Sequence, residues 1–182
     1  GYEADDLIAT YARQAAEAGA EVTIVSSDKD LMQLVTDKVT MYDAMKNKQI
    51  GPDEVVEKFG VKPDRVIDVQ ALAGDSTDNV PGIRGIGIKT AAQLINDYGD
   101  LDSLLARAEE VKQPKKRESL INEADAARVS RQLVTLRDDV PVEVALADFA
   151  VKTPEPDHVF GFLAEMEFKS MVSVVANKYG LT

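Results

Sequence analysis

Seven carboxylates stand in three short runs whose types and spacing could do chemistry: Glu3, Asp5 and Asp6; Asp28 and Asp30; Asp75 and Asp78. Carboxylate oxygens are the hard ligands that Mg²⁺ or Mn²⁺ prefers. Each run also has an ordinary reading. Acids in the first turn of a helix are favoured by its dipole, Ser27 with Asp30 resembles a capping box, and Asp75 and Asp78 suit a polar turn. Brought together, seven like charges repel, so a convergent cluster calls for cations or protonation, and divalent metals are the simpler of the two. Directly after the third run comes Gly82-Ile83-Arg84-Gly85-Ile86-Gly87-Ile88-Lys89-Thr90. Its three glycines precede a predicted helix start, where backbone N–H groups suit an anion such as phosphate and Lys89 adds a point charge. The plainer reading is a glycine-rich turn between two helices.

The elements that must position these residues fall into two styles. Periodicity predicts a helix over Leu7–Ala18, a strand over Glu21–Ser27, a short helix over Leu31–Val35 and a second strand over Val39–Tyr42. A loop or hairpin is expected over Ala44–Gly51, then helices over Pro52–Phe59 and Pro63–Ala73, each opening on proline. That alternation predicts an α/β fold with a parallel sheet, whose carboxyl edge is where ligands bind. After Gly74 the pattern turns helical: Ile88–Tyr98, Leu101–Ala108, Lys115–Glu123 and Ala126–Leu136. An extended stretch over Asp138–Val151 and a final helical pair, His158–Glu167 and Ser170–Tyr179, complete the reading. The expected division is residues 1–74 for the metal-site region and 75–182 for the helical region. The chain starts at Gly1 on a helix start, where an α/β fold would already have a strand, so further sheet is expected ahead of it.

Composition narrows the function classes. The 182 residues are 45% hydrophobic and 29% charged, with no cysteine. That excludes thiol chemistry and disulfides and fits a reducing cytoplasm; no apolar run is long enough for a bilayer. The net charge of −11 argues against a generic polyanion binder, but the acid is unevenly spread. From Asn79 to Arg137 there are 10 Lys and Arg against 8 Asp and Glu, whereas the remainder holds 11 against 24. A polyanion is therefore best received on the glycine-turn side. Lys112, Lys115, Lys116 and Arg117 read as a solvated face, His158 and Tyr2 as surface or packing residues.

The runs GYEADD, SSDKD and GDSTDNVPGIRGIGIKTA, in this order and spacing, resemble the 5′-nuclease (5′–3′ exonuclease) domains of bacterial DNA polymerase I, within the flap endonuclease superfamily. The resemblance spans essentially the whole chain. It implies a PIN-like α/β metal-site fold followed by a helical region with a helix–three-turn–helix motif at about residues 75–99. By match of motif, Glu3, Asp5, Asp6, Asp28, Asp30, Asp75 and Asp78 would bind two divalent ions, Mg²⁺ or Mn²⁺, for phosphodiester hydrolysis. Gly82, Arg84, Gly85, Ile86, Gly87, Lys89 and Thr90 would grip duplex DNA, with a monovalent cation such as K⁺ at the turn. The implied substrates are double-stranded and 5′-flap DNA in replication and repair. The family's further metal-binding Asp and helical arch would precede Gly1, so the chain by itself is expected to be inactive, and a polymerase domain would follow Thr182. Two other readings stay open, a non-catalytic DNA-binding module and a PIN-like ribonuclease.

Overall fold

The computed structural model describes residues 1–179. These form two compact units, Gly1–Glu143 and Val144 onward. The helix before Gly74 is packed into the helices that follow it, so the two expected regions meet inside the first unit.

In the first unit, helix α1 (Ala4–Glu17) leads into strand β1 (Val22–Val25), and a 3₁₀ turn (Asp30–Leu34) crosses to β2 (Val39–Asp43). β1 and β2 pair in parallel, Val22 opposite Val39 through Val25 opposite Tyr42. The polar stretch expected as a loop or hairpin is the latter: β3 (Lys48–Ile50) returns antiparallel on β2, with Met41 opposite Ile50. The sheet is thus mixed, not wholly parallel. β2 alternates buried and half-buried residues, and β1 and β3 form the edges of the sheet.

Helix α2 (Pro52–Phe59) ends on Gly60 at φ 74°, a left-handed stop that glycine supplies without strain. A 3₁₀ turn (Pro63–Arg65) then starts α3 (Val66–Ala73). α3 is apolar nearly all round, and Val66, Val69, Ala71 and Leu72 are fully buried. A helix of that kind belongs inside a core; it packs against α4 (Ile88–Tyr98) and α7 (Ala124–Val134). Between these lie α5 (Leu101–Ala106), capped by Asp100 accepting from the Ser103 N–H at 2.7 Å, and α6 (Pro114–Asn122). Ile24, Leu31, Met41, Phe59, Leu72, Ile95 and Leu104 belong to one continuous core, so sheet and helices share a single interior.

The expected extended stretch over Asp138–Val151 contains no strand; it is irregular apart from a 3₁₀ turn, Leu146–Phe149. The second unit carries the expected helical pair, α8 (Pro156–Glu165) and α9 (Lys169–Tyr179), packed on each other. No described helix is long and apolar enough to cross a membrane.

Candidate functional site

The acidic edge is built where α1 begins, where β1 ends and where α3 ends. Asp5 sits in the first turn of α1 and Asp30 opens the 3₁₀ turn after β1. Burial raises the proton affinity of Asp5, and Asp28, Glu3, Asp30 and Asp6 raise it further by repulsion. Asp30 is raised in the same way: burial contributes most, the Gln70 amide opposes it, and Asp28 and Asp75 add to it. Gln70 Nε2 donates to Asp30 Oδ1. Asp28 is exposed and its Oδ1 accepts the Asp30 N–H at 3.0 Å, while Ser26 Oγ accepts the Asp28 N–H at 3.0 Å. The 3₁₀ turn has Lys29, not Ser27, at its cap position and no side-chain cap; Ser26 and Asp28 each accept the N–H two residues on instead.

Lys29, between the two acids, reaches across to Asp75. Its Nζ donates to Asp75 Oδ2, and Asp75 Oδ1 accepts the Thr77 N–H at 2.8 Å. The Lys29 bond, followed by the Thr77 bond, holds the Asp75 carboxyl below its ordinary range, and the same bond raises Lys29, with Asp78 contributing. Asp5, Asp28, Asp30 and Asp75 thus form one electrostatic neighbourhood with Lys29 in it, and the exposed Glu3 and Asp78 stand at its rim. Asp6 is turned to other work: Oδ1 accepts the Arg137 N–H at 2.9 Å and Oδ2 the Glu3 N–H at 3.1 Å.

The expected convergence of all seven carboxylates is not a preformed cage. Among the described residues, no three Asp, Glu, His or Cys side chains stand together as metal ligands. Several of the oxygens already have partners: Asp75 is held by Lys29 and Thr77, and Asp6 by backbone N–H groups. The donor chemistry nonetheless suits a hard divalent cation, since the set is oxygen only, electron-rich and partly buried. Beside Asp30, buried Gln70 Oε1 has no hydrogen-bond partner among the described residues. Sequence reasoning missed Lys29 and Gln70. Their signals were a cation between two acids and one amide on the otherwise apolar run VIDVQALA, whose other polar residue is Asp68.

The glycine turn starts from the same Asp75. Its N–H donates to Val80 O at 2.9 Å, and Val80 N–H donates back at 2.8 Å. Ile83 N–H then donates to Leu72 O at 2.8 Å, pinning the turn to the end of α3. Gly82 is buried at φ 60°, and a Cβ there would lie 2.5 Å from Gly74 N. Its N–H donates to Ser130 Oγ at 2.9 Å, and the Arg84 N–H to Glu123 Oε2 at 2.7 Å. Ser130 and Glu123, neither singled out by the sequence, are the anchors that α7 and the residue before it supply. Ile83 and Ile86 are buried, whereas Arg84, Gly85, Gly87 and Lys89 are exposed and Thr90 half-buried. α4 opens on Gly87 with no capping side chain and no acid in its first turn. Such a helix start favours an anion.

Of the remaining candidates, Lys112 and Lys116 line a cleft of about 310 Å³ with Thr90 and Arg107, and the Arg107 guanidinium lies 5.0 Å from the Tyr98 ring centre. Lys115 is exposed and Arg117 half-buried. Exposed Tyr2 lies under the Arg137 guanidinium at 5.4 Å, and His158 is exposed on α8.

Comparison with known proteins gives a consistent family. Residues 61–157 match the family model for "5′-3′ exonuclease, C-terminal SAM fold", and residues 1–60 that for "5′-3′ exonuclease, N-terminal resolvase-like domain". DNA polymerase I of Rhizobium leguminosarum is 58% identical over 97% of this chain and 17% of its own length. The thermostable DNA polymerase I of Thermus aquaticus is 39% identical over 94% of this chain and 20% of its own. The chain therefore spans about a fifth of these relatives. Among solved structures, the T5 5′-exonuclease with bound zinc ions matches with a TM-score of 0.70 and 25% identity, over 75% of this chain and 51% of that one. The catalytic core of Rad2 with DNA substrate matches with a TM-score of 0.55 over 88% of this chain and 55% of that one, and at 16% identity it speaks to the fold alone.

Proposed function

The chain belongs to the 5′–3′ exonuclease family, and from that premise we propose that it is the part of a longer DNA polymerase I that cleaves DNA from 5′ ends and 5′ flaps. One observation carries the reading. Asp75 belongs to both halves of the site: its side chain joins the acidic edge through Lys29, and its backbone opens the glycine turn by pairing with Val80. A phosphate held on the turn is thereby tied to a fixed position along the carboxylates.

Two Mg²⁺ or Mn²⁺ ions, when bound, would supply a water of lowered pKa and stabilise charge on the attacking and leaving oxygens. Asp5, Asp28, Asp30 and Asp75 would hold them, with Glu3 and Asp78 at the rim. Gln70 fixes the orientation of Asp30 by its amide, as an outer partner does for a ligand. Lys29 neutralises Asp75 and stands as a ready cation for a phosphate oxygen. On the turn, the open backbone at Gly85 and Gly87 and the uncapped start of α4 take the duplex backbone, with Arg84, Lys89 and Thr90 beside them. A monovalent cation such as K⁺, if held at the turn by residues 82–87, would add positive charge for a phosphate. Support for metals and DNA as ligands comes from the T5 flap endonuclease, whose solved complex contains both.

The test uses polypeptide of natural length for cleavage and the present chain for binding, with 5′-flap DNA, plain duplex and single-stranded RNA in Mg²⁺ or Mn²⁺. Metal-dependent flap cleavage that Asp30→Asn abolishes, with duplex binding retained, is the expected result. Duplex binding with no cleavage would leave a DNA-binding module, and preference for RNA would favour the PIN-like ribonuclease.

A further inference from the structure

Asp6 stands in the acidic run, yet its contacts point away from the other carboxylates. Both of its side-chain oxygens already accept backbone N–H groups, from Arg137 at 2.9 Å and Glu3 at 3.1 Å. Its carbonyl accepts the Thr10 hydroxyl at 2.8 Å, and the same Thr10 oxygen accepts the Val140 N–H at 3.1 Å. One turn further on, Arg13 Nε donates to Asp138 O at 3.0 Å. Asp6, Thr10 and Arg13 are spaced by four and three residues and so share one face of α1. That face is occupied by the segment that leaves α7.

The start of this segment is tied to the acidic edge from another side. Gln33 Nε2 donates to Val134 O and to Asp30 O, each at 2.9 Å, and Gln33 Oε1 accepts the Leu136 N–H at 3.1 Å. Every polar atom of that amide is thus used between the Asp30 turn and the end of α7. α7 in turn holds the glycine turn through Ser130. The result is one hydrogen-bonded path, from the glycine turn through α7 and residues 134–140 to both Asp30 and the amino end of α1.

We propose that Asp6 is a positioning residue and not a metal ligand: it clamps residues 137–140 onto α1, so that the start of α1, with Asp5, and the Asp30 turn keep their places relative to the glycine turn. The inference rests on the metal-dependent reading above. It makes a specific claim about chemistry. A backbone N–H bond needs an oxygen, not a charge, so asparagine's one carbonyl oxygen can keep the Arg137 clamp while the Glu3 bond is given up. A ligand of a hard divalent cation needs the charge as well.

The experiment measures Mn²⁺ binding to this chain by the loss of the free-ion EPR signal, together with hydrogen exchange at the Arg137 and Val140 amides. Asp6→Ala is expected to weaken Mn²⁺ binding about tenfold, the scale of losing an outer-shell partner, and to speed exchange at both amides. Asp6→Asn, which keeps the Arg137 bond, is expected to bind Mn²⁺ measurably better than Asp6→Ala and to slow exchange at Arg137 again. Thr10→Val carries no conceivable metal ligand, yet it should reproduce the Asp6→Ala loss, because it frees Val140 from the same clamp. If Asp6→Asn binds Mn²⁺ as poorly as Asp6→Ala while Thr10→Val binds normally, Asp6 is a ligand and the proposal falls. An Asp6→Ala chain with unchanged affinity and exchange overturns it equally. Should Asp6→Ala not fold, the other two variants decide. Asp5→Asn and Asp75→Asn serve as controls: Mn²⁺ binding indifferent to both would defeat the metal reading itself, whatever Asp6 does.

Discussion

The acidic edge and the glycine turn share Asp75, but they are shaped by different forces. Backbone defines the turn. Asp75 pairs with Val80, Ile83 with Leu72, and Gly82 lies so close to Gly74 that only hydrogen fits between them. Nothing in that list depends on a ligand, and Ile83 and Ile86 seal it from below. The edge, by contrast, is made of side chains on three different elements, several of them raising one another's proton affinity. One lysine and one amide balance it. A binding surface made of backbone can be rigid before its partner arrives, whereas a set of like charges is completed only by counter-charge. The difference predicts opposite responses to mutation and to ions.

The largest effect should come from the closed part of the turn. Gly82→Ala would set a Cβ 2.5 Å from Gly74 N at a positive φ, so backbone must move. We expect a loss of about 3 kcal/mol or more in urea unfolding, the scale of forced strain in a packed site. Gly85→Ala meets nothing within 4 Å and carries only the cost of φ 78°, about 1 kcal/mol. Equal losses at the two positions would break the distinction between a closed and an open half.

Next in size is the response of the edge to cations. Mg²⁺ or Mn²⁺ at about 100 times its dissociation constant should stabilise the chain by about 2.7 kcal/mol through linkage, read as a rise in melting temperature that chelator reverses. Asp30→Asn should remove most of that rise, and Gly85→Ala none of it. A melting temperature indifferent to millimolar Mg²⁺ would mean that the edge gathers no metal.

The open half can be probed with little strain. Gly87 has an ordinary φ of −96°, and a Cβ there meets nothing. The strain argument therefore applies to Gly85 and not to Gly87. Gly87→Val replaces the N-cap glycine of α4 by a poorer cap at a cost of about 1 kcal/mol, and should weaken duplex binding beyond that loss, because bulk keeps phosphate from the backbone. Lys89→Ala should weaken binding to all sequences alike and lower the salt slope by about one. Unchanged affinity and slope would show that Lys89 is no phosphate contact.

How much of this was legible in the sequence follows from the same contrast. Helices α2 and α4 were readable to the residue, because proline or glycine marks where they start and a glycine where they stop. The extended reading of Asp138–Val151 failed because alternation there reflects attachment and exposure rather than a ladder. Thr10 and Arg13 fasten its first residues to α1 through bonds more than 100 residues apart in sequence. For the candidate site, residue type and spacing singled out Asp5, Asp28, Asp30 and Asp75, which the fold brings into one electrostatic neighbourhood. What they could not convey was which oxygens were already spoken for. Asp6 and Asp5 are adjacent acids in one helix turn, and only the tertiary position of Arg137 tells them apart.

The smallest expected effect is a pH dependence, and it tests the edge most directly. Asp5 is raised above its ordinary 3.8 by burial first and by neighbouring carboxylates after that. Its contribution to stability is fully present below 3.8, where folded and unfolded forms are both protonated, and is lost as pH rises through its higher folded value. Asp30 has the same sign. Asp75 has the opposite one: its pairing with Lys29 stabilises above 3.8 and is lost as pH falls through the depressed folded value. As pH falls from neutral, Asp5 therefore takes up its proton before Asp75 does. In chelator, Asp5→Asn should raise the melting temperature at pH 7, where the parent carries an unwelcome charge, and the advantage should shrink as pH falls through the raised folded value of Asp5. Adding Mn²⁺ at pH 7 should reverse its sign, since the ion favours the ionised carboxylate that the variant lacks. A melting difference constant across this range, with and without Mn²⁺, would mean that Asp5 is an ordinary surface acid and that the edge is no more primed for cations than the rest of an acidic chain.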